Sequence, residues 1–353
     1  MNTRVALERH LARADRTAAV WRISLTSLLL IVLGVLLGYT GRAVAEERTF
    51  RIEVHPVPTT QLTTMQVLAG EAGEAPTTVA GELRLPVAGD AKLPAVIMVH
   101  GGGGVYGHED LWAEELNQLG VAVFILDSFT GRGFINPASI VGQTKDALAV
   151  SGFVMAVDAY RALAILAKHP RIDPNRIALM GFSRGGTSAL YASLTRFRQA
   201  YGPAGIEFLA YVPLYPSCSF MLSDDERLSG GPIRIFQGTE DNITPIQPCR
   251  IYVDRLRSAG KDVELTEFPG AHHAFDMAIL STPARYPDLV NFGGCILEER
   301  PGGKLVNPAT GLPVNATDAC ASRGATLGYD AQATAGTKKA VKQFLTAIFR
   351  LSQ

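Results

Sequence analysis

Residues 94–99 read Pro-Ala-Val-Ile-Met-Val, an apolar run with no charged position. Such a run has no face to give to water, so it predicts a strand buried on both sides, as in the middle of a parallel sheet. Further strands are expected at 121–126, 176–180, 208–214, 233–236 and 263–268. Tracts of helical period fall between these runs, at about 109–119, 145–168 with a break at Ser151-Gly152, 187–194, 245–259 and, terminally, 337–351. Ahead of them, residues 49–57, 61–68 and 77–85 alternate in the manner of antiparallel strands. Strands alternating with helices predict an α/β chain, its mostly parallel sheet covered by helices on both faces. The stretch from about 283 to 330 is rich in Gly, Pro and Asn and has no clear period, which predicts a long loop.

The 353 residues are 47% hydrophobic and 19% charged with no net charge, a globular composition ample for one large α/β domain. No basic stripe appears beyond the N-terminus, so nothing points to a nucleic-acid partner. The N-terminus itself stands apart. Arg4, Arg9, Arg13, Arg16 and Arg22 precede an uncharged stretch over 23–41, and Ala43-Val44-Ala45 follows it. A basic region, an apolar region and A-x-A describe a secretory signal peptide cleaved after Ala45. An uncleaved anchor is the competing reading, because 19 uncharged residues could just cross a bilayer. Both readings export residues 46–353, to the periplasm or the medium, and a membrane is contacted only through the N-terminal segment if it is not cleaved. Its removal takes away six Arg, Glu8 and Asp15, leaving a net charge of −4. Export gives the four cysteines a meaning, since an even count in an oxidising compartment fits two disulfides. Cys295 and Cys320 bracket a Gly/Pro/Asn-rich part of the 283–330 stretch, which needs a staple.

The run at 176–180 leads into Gly181-Phe182-Ser183-Arg184-Gly185-Gly186 and then a helix. Strand, G-x-S-x-G, helix is the arrangement that lifts a serine hydroxyl clear of a sheet, with glycines where a Cβ would press on the neighbouring strand and helix. In sheets of this class reactive groups gather at the carboxyl ends of strands. After 233–236 come Glu240 and Asp241; after 263–268 come His272 and His273. Serine, carboxylate, histidine is the order such hydrolases use. The imidazole takes the serine proton, and the carboxylate holds its tautomer. Within each adjacent pair, side-chain alternation lets only one member reach Ser183, and the residues alone do not choose. The run His100-Gly101-Gly102-Gly103-Gly104 directly follows a buried strand, where glycine lets a backbone N–H approach a substrate carbonyl. Gly102, with Gly103 as the alternative, and the N–H of Arg184 are the expected oxyanion donors.

Several segments together resemble the dienelactone hydrolase family of α/β-hydrolases. They are Val99-His100-Gly101-Gly102-Gly103, Leu126-Asp127-Ser128-Phe129 with Arg132-Gly133, Asp158-Ala159-Tyr160-Arg161-Ala162, Ile172-Asp173-Pro174-Asn175-Arg176-Ile177, the elbow, 238–245 and 269–276. The resemblance spans roughly 94–276 plus the final helix. It implies the α/β-hydrolase fold, His273 as base, because it directly precedes Ala-Phe, and Asp241 as acid, from its place before Thr244-Pro245. It also implies that Cys218 pairs with Cys249. The family's namesake enzymes use a cysteine nucleophile; serine at 183 favours ordinary ester chemistry. The expected protein is an exported serine hydrolase that cuts carboxylic esters or lactones through an acyl-enzyme and needs no cofactor. The same trio serves peptidases and thioesterases, and a non-catalytic exported binding protein is the reading from another class. Arg132 is expected in a structural ion pair and His100 as a residue that orients its loop. Neither His55 nor His108 has ligand-type neighbours in sequence, and no set of His, Cys and Asp shows metal spacing. If the signal reading holds, N-terminal sequencing of the protein from its host should begin at Glu46, and intact residues 1–22 in a membrane fraction would favour the anchor.

Overall fold

The computed structural model describes residues 51–86, 89–134 and 150–351; the expected leader at 1–45 and the first part of the 145–168 tract lie outside them. Eight strands make the main sheet: β1 (Arg51–Thr60), β2 (Pro76–Leu85), β3 (Leu93–Val99), β4 (Ala122–Asp127), β5 (Ile172–Phe182), β6 (Ala210–Leu214), β8 (Ile233–Gly238) and β9 (Val263–Phe268), in the order β1-β2-β4-β3-β5-β6-β8-β9. The β1–β2 and β2–β4 pairs are antiparallel. All pairs from β4 through β3 to β9 are parallel. The apolar runs of the sequence are the strands in the middle of this order. Along β3, Ala95, Ile97 and Val99 face one layer while Val96 and Met98 face the other, and all five are fully buried. On the first face lie α1 (Thr64–Leu68), α3 (Gly152–Leu166), α4 (Arg184–Tyr191), α5 (Thr195–Tyr201) and α6 (Ile246–Ser258). On the second lie α2 (Gly107–Asn117) and α7 (Ala331–Phe349), joined to it through Trp112, Leu116, Val341 and Leu345.

Two expectations are corrected. The alternation at 61–68 does not make a strand. Thr63 accepts the backbone N–H of Gln66 while the Gln66 side chain takes that of Thr63, so a capping box starts the short helix α1. The 283–330 stretch is not one loop. Strand β10 (Ala284–Asn291) pairs antiparallel with β13 (Ser322–Leu327), and β11 (Leu297–Arg300) with β12 (Lys304–Val306). A two-residue strand β7 (Phe220–Met221) lies parallel to β11. Pro287 hid β10 from its sequence, because it falls within the register shift between Tyr286 and Val290 that breaks the alternation. The Cys295–Cys320 disulfide closes this excursion, and Cys218–Cys249 ties the segment after β6 to the first turn of α6. Among the described residues no helix is long and apolar enough to cross a membrane.

A buried ion pair fixes the antiparallel edge to the body. Arg132 meets Asp158 of α3 through two hydrogen bonds of 2.7 and 3.0 Å, and Thr59 of β1 donates to Asp158 at 2.8 Å. Arg132 also reaches the Ser128 carbonyl at 2.7 Å, so its expected role as a structural partner is what the structure shows. Asp158→Asn strands the buried guanidinium, and urea unfolding should show a loss of about 3–5 kcal/mol.

Candidate active site

The turn from β5 to α4 is packed to its limit. A Cβ on Gly181 would meet the Gly185 carbonyl, and one on Gly185 the carbonyls of Val99 and His100. Ser183 sits between them at φ 53°, ψ −110°, a conformation that an L-residue holds only when its surroundings impose it. Its backbone N–H donates to the Leu214 carbonyl at 3.0 Å, which locks the elbow to β6.

From this apex the Ser183 hydroxyl lies 2.8 Å from His273 Nε2, and His273 Nδ1 lies 2.7 Å from Asp241 Oδ2. Both partners are buried, each 4% exposed. The adjacent candidates point elsewhere: His272 bonds the Glu240 carbonyl at 3.1 Å, and Glu240 is exposed. Asp241 is held on all sides. It accepts the backbone N–H groups of Ile243 and Thr244 at 2.9 Å each, the Thr244 hydroxyl at 2.9 Å and the Gln237 amide at 2.9 Å. Every one of those is a donor, so Asp241 is set as an acceptor-only carboxylate and Nδ1 of His273 is the ring nitrogen that carries hydrogen. Nε2 is then left to accept from Ser183.

The glycine loop is oriented by His100, a fully buried side chain. The Ser128 N–H donates to its Nε2 at 3.1 Å, so the proton is on Nδ1, which donates to the Gly101 carbonyl at 2.7 Å. In a trans peptide the next N–H points opposite to the carbonyl. Turning the Gly101 carbonyl toward His100 therefore turns the Gly102 N–H away from it, and Gly102 lines the cleft with Ser183. The N–H of Arg184 belongs to the first turn of α4, whose leading N–H groups have no intrahelical acceptor. The Arg184 side chain does not line that cleft. Its guanidinium lies beside Gly102, 5.8 Å over the Phe129 ring, and donates to the Val150 carbonyl at 3.2 Å. Burial pushes its pKa down to about 10.

The cleft is small, about 50 Å³. Tyr106, Tyr215, Met277 and Leu327 help to wall it. Leu327 comes from the end of β13, bridged to His273, so the Cys-bracketed excursion supplies part of the rim. Sequence reasoning passed over Tyr215. Its ring packs edge-on against His273 with centroids 4.9 Å apart, and its hydroxyl donates to Asp276 at 2.7 Å. Burial, with Asp276 alongside, pushes that phenol well above its ordinary range.

His55, expected to lack ligand-type neighbours, has two. Glu53, His55 and His169 bring one ligand atom each within 4.8 Å of one another. The arrangement is wired as an ion cluster: Arg51 pairs with Glu53 at 2.9 Å, and His169 Nδ1 accepts the Arg171 N–H at 3.2 Å, leaving its Nε2 to donate to Glu53. These three are the described residues that could hold a cation; none of them lines the Ser183 cleft.

The model of the Dienelactone hydrolase family matches residues 80–283. An acyl-protein thioesterase 1 of Gibberella zeae is 31% identical over 103 residues, 29% of this chain and 43% of that protein. The acyl-protein thioesterase 1 of Emericella nidulans is 24% identical over 156 residues, 44% of this chain and 62% of that protein. The chain thus spans less than two thirds of either relative. Among solved structures, the dienelactone hydrolase-like promiscuous phosphotriesterase P91 from metagenomic libraries superposes with a TM-score of 0.54 at 18% identity, covering 84% of this chain and 98% of that one, a likeness of fold.

Burial holds the His100 pKa below its ordinary value, against its bond to Gly101. The folded state keeps the ring neutral while the unfolded chain takes up the proton first, so the associated stability is present above about pH 6.5 and is lost as pH falls through the lowered value. Comparing wild type with His100→Gln, the difference in unfolding free energy should shrink between pH 7 and 5.

Proposed function

Because this chain belongs to the dienelactone hydrolase family, we propose that it is a serine hydrolase that cleaves carboxylic esters or lactones through an acyl-enzyme, with Ser183, His273 and Asp241 as its reacting residues. The observation that carries the reading is the unbroken hydrogen-bonded run from Ser183 Oγ through His273 to Asp241. His273 Nε2 takes the hydroxyl proton as Oγ adds to the substrate carbonyl. The N–H groups of Gly102 and Arg184 receive the developing oxyanion, and Asp241 stabilises the imidazolium. Collapse of the tetrahedral species returns the proton to the leaving alkoxide. Water then repeats the sequence on the acyl-enzyme and frees the acid. No step calls for a metal or organic cofactor.

The volume of the cleft narrows the substrate. At about 50 Å³ it is far below the roughly 300–1,000 Å³ of sites that enclose drug-sized ligands. Short acyl groups fit it, and long fatty acyl chains do not. Two disulfides are bonds that oxidising compartments preserve, which supports export of residues 46–353 to the periplasm or the medium.

With p-nitrophenyl esters of increasing chain length, kcat/KM should be highest for short acyl groups. Ser183→Ala should lower kcat by on the order of 10^4- to 10^6-fold and abolish fluorophosphonate labelling. Asp241→Asn should cost on the order of 10^4-fold. His272→Ala and Glu240→Gln should change kcat/KM by no more than about threefold. Near-native turnover in folded Ser183→Ala would rule the mechanism out.

A further inference from the structure

The residues around the cleft differ in how far they could yield to a substrate. The glycine loop, Ser183 and His273 belong to the hydrolytic steps, and Phe182 and Tyr215 are buried rings packed into the core. Met277 and Leu327 are the aliphatic side chains of the wall, both buried. Met277 is unbranched and turns about three bonds, so it adapts to what it meets. Leu327 is branched, and its backbone is pinned from several directions. It pairs with Ala284 across the β10–β13 ribbon and is bridged to His273. Just after it, the Gly328 N–H donates to the His273 carbonyl at 3.1 Å and the Tyr329 N–H to that of Leu280 at 2.9 Å. A wall held this way does not retreat before a longer chain. The residue opposite it in the ribbon is an alanine, too small to fill its place.

The origin of this wall sets it apart from the rest of the site. The family match covers residues 80–283, which include the glycine loop, Ser183, Asp241 and His273. Leu327 lies beyond that stretch, at the end of β13, on the excursion that the Cys295–Cys320 disulfide closes. The reacting groups and the residue that bounds their space thus come from different parts of the chain.

We propose that Leu327 is the specificity-determining residue that limits acyl length, so that acetyl to butyryl esters are accepted and hexanoyl and longer ones are turned away. The inference rests on the hydrolase reading above and names the residue behind its size limit. The acyl half is the relevant one because it stays on Ser183 between the two chemical steps, whereas the alcohol departs after the first.

The test uses the purified full chain, p-nitrophenyl acetate, butyrate and hexanoate, and a second series of methyl, ethyl and butyl acetates. The readout is the hexanoate-to-acetate ratio of kcat/KM, compared between proteins so that intrinsic ester reactivity cancels. Leu327→Ala takes an isopropyl group out of the wall, and the ratio should rise by at least about tenfold, the lower worth of one methylene in an apolar pocket. Leu327→Met nearly conserves volume and should hold the ratio within about threefold. The ratios among the alkyl acetates should stay within about threefold in both. An unchanged ratio in Leu327→Ala, an equal loss of kcat/KM at every chain length, a Leu327→Met ratio that rises as far as that of Leu327→Ala, or a shift confined to the alkyl acetates would overturn the proposal. If Leu327→Ala does not fold, Leu327→Phe decides. It narrows the cleft, so the butyrate-to-acetate ratio should fall about tenfold, and an unchanged ratio overturns the inference. A wild type that hydrolyses none of the esters and takes no fluorophosphonate label fails at the underlying reading instead.

Discussion

The constraint on which the rest depends is the contact between backbone atoms where β5 turns into α4. Gly181 and Gly185 have carbonyl oxygens where a Cβ would be, and Gly186 has that of Leu214. Such an approach is possible only for residues without side chains, and only if the strands on either side are already fixed. β3 and β6 flank β5 in parallel register and supply the Val99 and Leu214 carbonyls, while the one against Gly181 is that of Gly185 in α4. The strain at Ser183, of order 1–3 kcal/mol for such a backbone, is therefore carried by the whole sheet. It keeps the hydroxyl out of the sheet and at the head of a helix.

Around that point the polar side chains form a second layer that holds the first. His100 turns a peptide, Thr244 and Gln237 fix a carboxylate, and Tyr215 braces an imidazole while spending its own hydroxyl on Asp276. Each group has a partner that leaves it one way to point. A site built this way is ordered before substrate arrives, which is where electrostatic catalysis draws its advantage.

How much of this could be read from the sequence follows from how local each cause is. The buried strands were legible because a run such as 94–99 has no polar face, and the elbow because its glycines are a local steric demand. The candidate trio was legible from strand-end placement, but the pairs Glu240/Asp241 and His272/His273 were not separable by residue type; that choice came from the family's motif, and in the fold it follows the way each side chain leaves its turn. Helix α1 was misread because a single capping box outweighed eight residues of alternation. The β10–β13 ribbon was missed because Pro287 and a register shift erase the period by which a strand is recognised. Tyr215 and the Glu53–His55–His169 cluster join residues far apart in the chain, and no local pattern announces them.

The ribbon has a consequence for the order in which the protein becomes competent. All three residues of the hydrogen-bonded run have been synthesised by His273, yet Leu327 arrives more than fifty residues later, and the Gly328 N–H then bonds the His273 carbonyl at 3.1 Å. A chain ending near Asp276 would lack Leu327 and with it part of the cleft wall, and would lack α7, whose Val341 and Leu345 are buried in the core of the second face. The end of β13 is thus a late-made part of the cleft wall, more than fifty residues beyond the histidine it is bridged to.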